Sequence, residues 1–182
     1  MCAHNDDKAM KRFADRFCSP STGFKAKWLG KLDWFLGIAV ELSEGRIAIH
    51  QSKYIVDMLD KFIPGWQQDS IMRKTPALPQ LDKVGFATSD AERERVKKLP
   101  YLEIVGSQLY CHVQTRPDGL YTSSILSKHM SDPSIAGYEA AKPALLYLGK
   151  TKDLKITFTK GSRAPPGLEQ VRREIESNYG FV

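Results

Sequence analysis

Trp34-Phe35-Leu36-Gly37-Ile38-Ala39-Val40, Ser43-Glu44-Gly45 and Arg46-Ile47-Ala48-Ile49-His50-Gln51 stand together in one stretch of a 182-residue chain. The span from Leu32 to Leu42 is rich in β-branched and aromatic residues and reads as a strand. Ser43-Glu44-Gly45 is a turn. Arg46 to Gln51 alternates apolar and polar side chains with period two, a second strand. Two strands about a short glycine-containing loop predict a hairpin. Gly37 interrupts the first strand, which predicts a bulge or a close backbone approach. Such a hairpin leaves sheet edges and apolar surface open, Trp28 and Trp34 among it.

Helical patterns flank the hairpin. Asn5 or Asp6 can cap a helix from Lys8 to Phe17, where Met10, Phe13, Ala14 and Phe17 recur at i, i+3, i+4, i+7. Ser52 is the expected N-cap of a helix from Lys53 to Phe62, with Tyr54, Ile55, Met58, Leu59 and Phe62 as its apolar stripe and Pro64-Gly65 as its stop. Residues 64 to 99 read as mostly irregular, with a short exposed helix from Ala91 to Lys98. Three helices follow, at about Pro100 to Gln114, Leu120 to Met130 and Ile135 to Leu148. Pro143 should kink or divide the last of them. Leu154 to Thr159 is a strand, and the tail from Gly161 to Val182 reads as a loop and a short helix. The fold class is therefore α+β.

Composition narrows the function classes. A 42% hydrophobic content is enough for a buried core, and a 26% charged fraction argues against wholesale disorder. The net charge of +6 fits a polyanionic partner. Three cysteines, Cys2, Cys18 and Cys111, have no paired spacing, so no disulfide framework is expected. No apolar run approaches the roughly 20 residues of a membrane span, and the first residues do not form a secretory signal. An intracellular location, cytoplasmic or nuclear, and no membrane partner are the expectations.

Chemistry-bearing motifs are scarce. His4, His50, His112 and His129 are scattered, and Cys111-His112 are adjacent helix positions that point apart, so no metal site is expected. Cys111, in an apolar helix, reads as core. Asp6-Asp7 is a tandem acidic pair that reads as a helix start rather than as a two-metal site. Lys150, Lys152, Lys155, Lys160 and Arg163 make a basic segment with one acidic residue, Asp153. Such a segment either lies against a phosphate backbone or forms a charged sheet edge.

The order of the motifs carries more than any one of them. Leu29-Gly30-Lys31-Leu32-Asp33-Trp34-Phe35-Leu36-Gly37-Ile38 resembles a segment of Ty1/copia-type retrotransposon reverse transcriptases. Ile49-His50-Gln51-Ser52-Lys53-Tyr54-Ile55, Thr75-Pro76, Tyr101 to Tyr110, Thr115-Arg116-Pro117-Asp118 and Ala140 to Leu154 resemble later segments of the same family, in the same order. The family's YVDD motif has no counterpart here. Pro143 and Leu146 stand where the family usually has Arg, and Gly149-Lys150 inverts its Lys-Gly order.

The resemblance implies the end of a polymerase palm, a primer grip and a helical thumb. It divides the chain into residues 1-51 (palm remnant and primer-grip-like hairpin), 52-99 (helix and linker), 100-160 (thumb and connection) and 161-182 (tail). It implies an RNA–DNA hybrid or duplex nucleic acid as partner. Phe35, Leu36 and Gly37 would lie at the primer, Gly106 and Tyr110 along the minor groove, and Lys150 and Lys152 at phosphates. Gly106 and Tyr110 are four apart and share a helix face. With the YVDD aspartates outside this segment, no catalytic residue is expected in it. No cofactor is expected either, Mg belonging to the intact family enzyme. The alternative is a co-opted protein-interaction domain or a non-functional pseudogene product. The Thr115-Arg116-Pro117-Asp118 run reads as structural: a helix stop and start, with Arg116 available to a carboxylate.

Overall fold

A computed structural model describes residues 7–19, 21, 31–68, 75–77, 81 and 84–160, with Asp7 known by its backbone alone. Cys2, His4, the Asn5 or Asp6 cap, Trp28, Leu29-Gly30, Arg163 and the predicted tail lie outside the described residues. The chain divides into two compact units, Met1–Asp33 and Trp34–Val182.

In the first unit, α1 (Asp7–Phe17) forms where the apolar stripe predicts it. Phe13 and Phe17, one turn apart, stack with ring centroids 5.6 Å apart. Arg16 sits in the last turn, where a cation complements the helix dipole.

In the second unit, β1 (Trp34–Phe35), β2 (Ile38–Ser43), β3 (Arg46–His50) and β4 (Ile156–Thr159) form an antiparallel sheet in the order β1-β2-β3-β4. The predicted strand from Leu32 to Leu42 is corrected here. It is two strands folded back on each other, Trp34 opposite Ala39 and Phe35 opposite Ile38, with Leu36-Gly37 as a two-residue loop. Gly37 is therefore a turn residue, not a bulge within a strand. The second hairpin pairs Ser43 with Arg46, with Gly45 at φ 64° in its turn. β4 then pairs with β3. Leu42, Ile47 and Phe158 are cross-strand partners, so they share one face of the sheet, and all three are exposed.

The helices α2 (Ser52–Phe62), α3 (Asp90–Val96), α4 (Tyr101–Gln114), α5 (Leu120–Ser127) and α6 (Ile135–Lys150) supply the core. Ile55 and Leu59 of α2, Ile104 and Val105 of α4, Leu126 of α5 and Leu145 and Leu148 of α6 are fully buried in one cluster. Polar bonds fix the register between these helices. Gln108 Nε2 donates to the Ala141 carbonyl, and the Tyr101 hydroxyl donates to that of Leu126, each at 2.8 Å. Ser89 caps α3 by accepting from the Glu92 amide, and Ser134 caps α6 by accepting from the Gly137 amide. Glu92 joins the two helix starts, because its carboxylate accepts from the Thr88 and Ile135 amides.

Two further expectations are corrected. Ser52 is the first residue of α2 rather than its cap, and its hydroxyl donates to the Lys152 carbonyl at 2.8 Å. Pro143 does not divide α6. The ring removes the bond to the Glu139 carbonyl one turn earlier, but Glu139 is exposed, so water can serve that carbonyl. Burial of Ala140, Ala141, Ala144, Leu145 and Leu148 on the inner side outweighs the roughly 3 kcal/mol proline penalty.

Candidate functional site

The Leu36-Gly37 turn has positive φ at both positions, 48° and 78°, as a type I′ hairpin turn requires. Gly37 adopts this region freely, whereas a leucine there is strained. Leu36 is also 70% exposed, so burial does not offset that strain. Trp34 and Phe35 beside it are exposed as well.

The turn is held against α4. The Tyr110 hydroxyl donates a hydrogen bond to the Leu36 carbonyl. Tyr54, from α2, meets Tyr110 edge to face with ring centroids 5.3 Å apart. Its ring also lies under Gly37, with Cδ2 3.8 Å from where a Cβ would stand. The Tyr54 hydroxyl donates to the Ser107 carbonyl at 3.5 Å. Three sequence-predicted residues, Leu36, Gly37 and Tyr110, are thus brought together. Tyr54 completes the group; its place in an apolar stripe marked it only as core.

Outward from this junction, α4 carries Leu102, Gly106, Leu109 and Val113 at i, i+4, i+7, i+11, which is one face. Leu102 and Val113 are exposed. A Cβ at Gly106 would meet nothing within 4 Å. Packing among the described residues does not require a glycine there, although glycine costs about 1 kcal/mol relative to alanine in a helix interior.

Lys150 and Lys152 are positioned by other contacts, at the end of α6. Lys152 pairs with Asp153 at 2.9 Å. Further along, Lys155 pairs with Glu41 of β2 at 2.6 Å, and this ammonium, chiefly, holds the Glu41 carboxyl below its ordinary range. Part of the basic segment is thus neutralised within the fold.

The Thr115-Arg116-Pro117-Asp118 run forms a buried polar junction. Arg116, only 2% exposed, makes a two-pronged ion pair with Asp118 (Nε to Oδ1 3.0 Å, Nη2 to Oδ2 2.7 Å). Its other donors reach the Thr151 carbonyl at 2.9 Å and the Thr151 hydroxyl at 2.6 Å. The Tyr147 hydroxyl donates to Asp118 at 2.7 Å, and Thr115 donates to Gln51 at 2.8 Å. Burial pushes the Asp118 carboxyl up, and the bonds from Arg116 and Tyr147 outweigh it, leaving it below its ordinary value. The junction joins the end of α4 to the end of α6 and the start of α2. The buried Arg116 guanidinium, bonded to both Asp118 and Thr151, makes it a structural clamp.

Neighbouring Cys111 and His112 are both buried. Burial pushes the Cys111 thiol up to about 12, which makes it inert at neutral pH. His112 bonds through Nδ1 to the Ser123 hydroxyl at 2.5 Å, and its Nε2 is buried without a partner. Burial lowers its pKa to about 4. A histidine charges in the unfolded chain near 6.5 but in the fold only near 4, so stability is full above the first value and falls as pH drops toward the second. We expect a loss of about 2 kcal/mol between neutral pH and about pH 5. Urea midpoints at the two pH values would show it, and His112→Gln would flatten the dependence. Among the described residues, no three His, Cys, Asp or Glu side chains converge to hold a metal ion. Among them too, no helix is long and apolar enough to cross a membrane.

Comparison with known proteins finds transposon Pol polyproteins among the relatives. The putative transposon Ty5-1 protein YCL074W of Saccharomyces cerevisiae is 28% identical over 141 residues, 77% of this chain and 44% of that protein. The retrovirus-related Pol polyprotein from transposon TNT 1-94 of Nicotiana tabacum is 31% identical over 138 residues, 73% of this chain and 10% of the polyprotein. The chain is a relative of transposon Pol polyproteins. Secreted RxLR effector protein 161 of Plasmopara viticola is 38% identical over 69 residues, 38% of this chain and 49% of that protein. The chain spans less than half the length of each of these three relatives. No protein-family model matches it. No solved structure matches it.

Proposed function

We propose that this Pol-related segment is the primer-grip and thumb part of a Ty1/copia-type RNA-directed DNA polymerase and that it grips an RNA–DNA hybrid or duplex without catalysing synthesis by itself. The observation that carries the reading is Gly106. A glycine in mid-helix, with open space before it and exposed Leu102 and Val113 on the same face, fits the close approach of a backbone from outside the protein. The Leu36-Gly37 turn, docked on that helix by Tyr110 and with its Leu36 side chain exposed, would extend the same surface. Apolar and backbone contacts of this kind follow the shape of a nucleic-acid groove without reading its sequence. Lys150 and Lys152 are its proposed phosphate contacts, and the net charge of +6 favours any polyanion.

The test is binding of the purified chain to a labelled RNA–DNA hybrid at two salt concentrations, with unlabelled duplex DNA as competitor. Salt-sensitive binding supports the reading, and a folded chain that does not bind sinks it. Gly106→Ala should raise stability by about 0.5 to 1 kcal/mol and still weaken binding. Gly106→Glu should weaken binding about tenfold or more by placing a negative charge where phosphates approach. Lys150→Gln and Lys152→Gln should each reduce the slope of log affinity against log salt by roughly 1. An unchanged slope would remove the lysines from the interface.

A further inference from the structure

We propose that Tyr110, seated by Tyr54, is a positioning residue that locks the Leu36-Gly37 turn onto α4 in its strained conformation and so presents the Leu36 side chain outward. The proposal rests on the reading above, that the turn and α4 form one gripping surface, but it assigns Tyr110 a different task from direct contact with nucleic acid.

Three independent features carry it. First, Leu36 occupies left-handed backbone, which glycine and asparagine enter readily and leucine does not. A bulky residue persists there only when its surroundings impose the conformation. Second, the restraint is visible: the side-chain hydroxyl of Tyr110 donates to the carbonyl of Leu36 itself, so its one O–H is committed within the protein. Third, the ring that carries this hydroxyl is buttressed. Tyr54 packs edge-on against it at 5.3 Å, lies under Gly37 and is tied by its own hydroxyl to Ser107 on α4. The side chain the turn displays is 70% exposed, so its apolar surface contributes little to this fold. A leucine that is strained and unburied does nothing for stability, and its remaining use is contact with something outside.

Tyr110→Phe keeps the ring and its packing and removes the hydroxyl alone. In the full chain, the amides of residues 36 to 39 should then exchange with solvent about tenfold faster, while amides in α6 do not change. Tyr110→Phe and Leu36→Ala should each weaken binding to the RNA–DNA hybrid. Because Tyr110 acts through Leu36, the double variant should bind no more weakly than Leu36→Ala alone. Additive losses would mean that Tyr110 touches the nucleic acid itself and would overturn the proposal, as would unchanged exchange at the turn. Leu36→Asn supplies a second measurement that does not depend on Tyr110: relieving the strain should raise the melting temperature while binding falls, and a lowered melting temperature would count against the strained turn. If the unaltered chain fails to bind hybrid, the functional reading fails. The exchange experiment still decides on the lock, faster exchange supporting it and unchanged exchange overturning it.

Discussion

Asp118→Ala is expected to destabilise the protein by about 3 to 5 kcal/mol, enough to unfold a domain of ordinary stability near room temperature. The loss does not come from Asp118 itself, which is partly exposed and could be hydrated. It comes from Arg116, whose side chain is 2% exposed and would keep its charge with no carboxylate beside it, only the Thr151 oxygens and the face of the Tyr147 ring. A buried cation stripped of its carboxylate pays a desolvation cost of several kcal/mol that the remaining neutral acceptors do not offset. Tyr147 would also lose the acceptor of its hydroxyl. Asp118→Asn should cost less, because one oxygen can still accept from Arg116. Replacing the pair together, Arg116→Met with Asp118→Leu, should be milder than Asp118→Ala alone, since no charge is left unpaired. Denaturant midpoints for the four proteins would rank them. If Asp118→Ala cost less than about 1 kcal/mol, the clamp would be no more than a surface pair.

The same residues show how far sequence reasoning reaches. The helix stop and start at Thr115-Arg116-Pro117-Asp118 was legible from proline and turn chemistry, and so was the pairing of Arg116 with a carboxylate. Tyr147 and Thr151 as further partners were not, because they lie 29 or more positions beyond Asp118 and only the packing of α6 against α4 brings them in. The helices of the core were legible from their periodicity. That α6 runs undivided through Pro143 was not legible, because the burial of the helix around it offsets the local penalty. The Leu36-Gly37 turn was not legible for a different reason. The favoured dipeptides of a tight hairpin begin with Asn, Asp or Gly, and a leucine in the first position hides the turn. The joining of β4 to β3 spans about a hundred positions, and nothing local in Ile156 to Thr159 names its partner. At the candidate site the sequence offered two separate motifs, Leu36-Gly37 in one and Gly106 with Tyr110 in the other. That Tyr54 and Tyr110 meet, and that Tyr110 is bonded to the turn, needed the tertiary structure.

Gly149 carries the second large effect. It is buried near the end of α6, and a Cβ there would stand 2.6 Å from Leu59 Cδ1 and 3.0 Å from the Trp66 ring. Neither neighbour can give way easily. Leu59 is fully buried in the core, and the Trp66 indole is fixed by its own bond to Asp60 at 2.9 Å. Gly149→Ala should therefore cost about 1 to 3 kcal/mol by overpacking, although the same substitution at Gly106 should stabilise. The contrast separates a glycine that packing demands from one that it does not. It also bears on the inverted Gly149-Lys150 order. Restoring the order of the resembling family, Gly149→Lys with Lys150→Gly, would drive a long charged side chain between Leu59 and Trp66. The loss should then exceed that of Gly149→Ala, with the charge forced to seek solvent along the helix end. A thermal unfolding series of Gly106→Ala, Gly149→Ala and the exchanged pair should give melting temperatures in that order, highest first. If the exchanged pair melted with the unaltered chain, α6 would have to meet α2 differently from the packing described above.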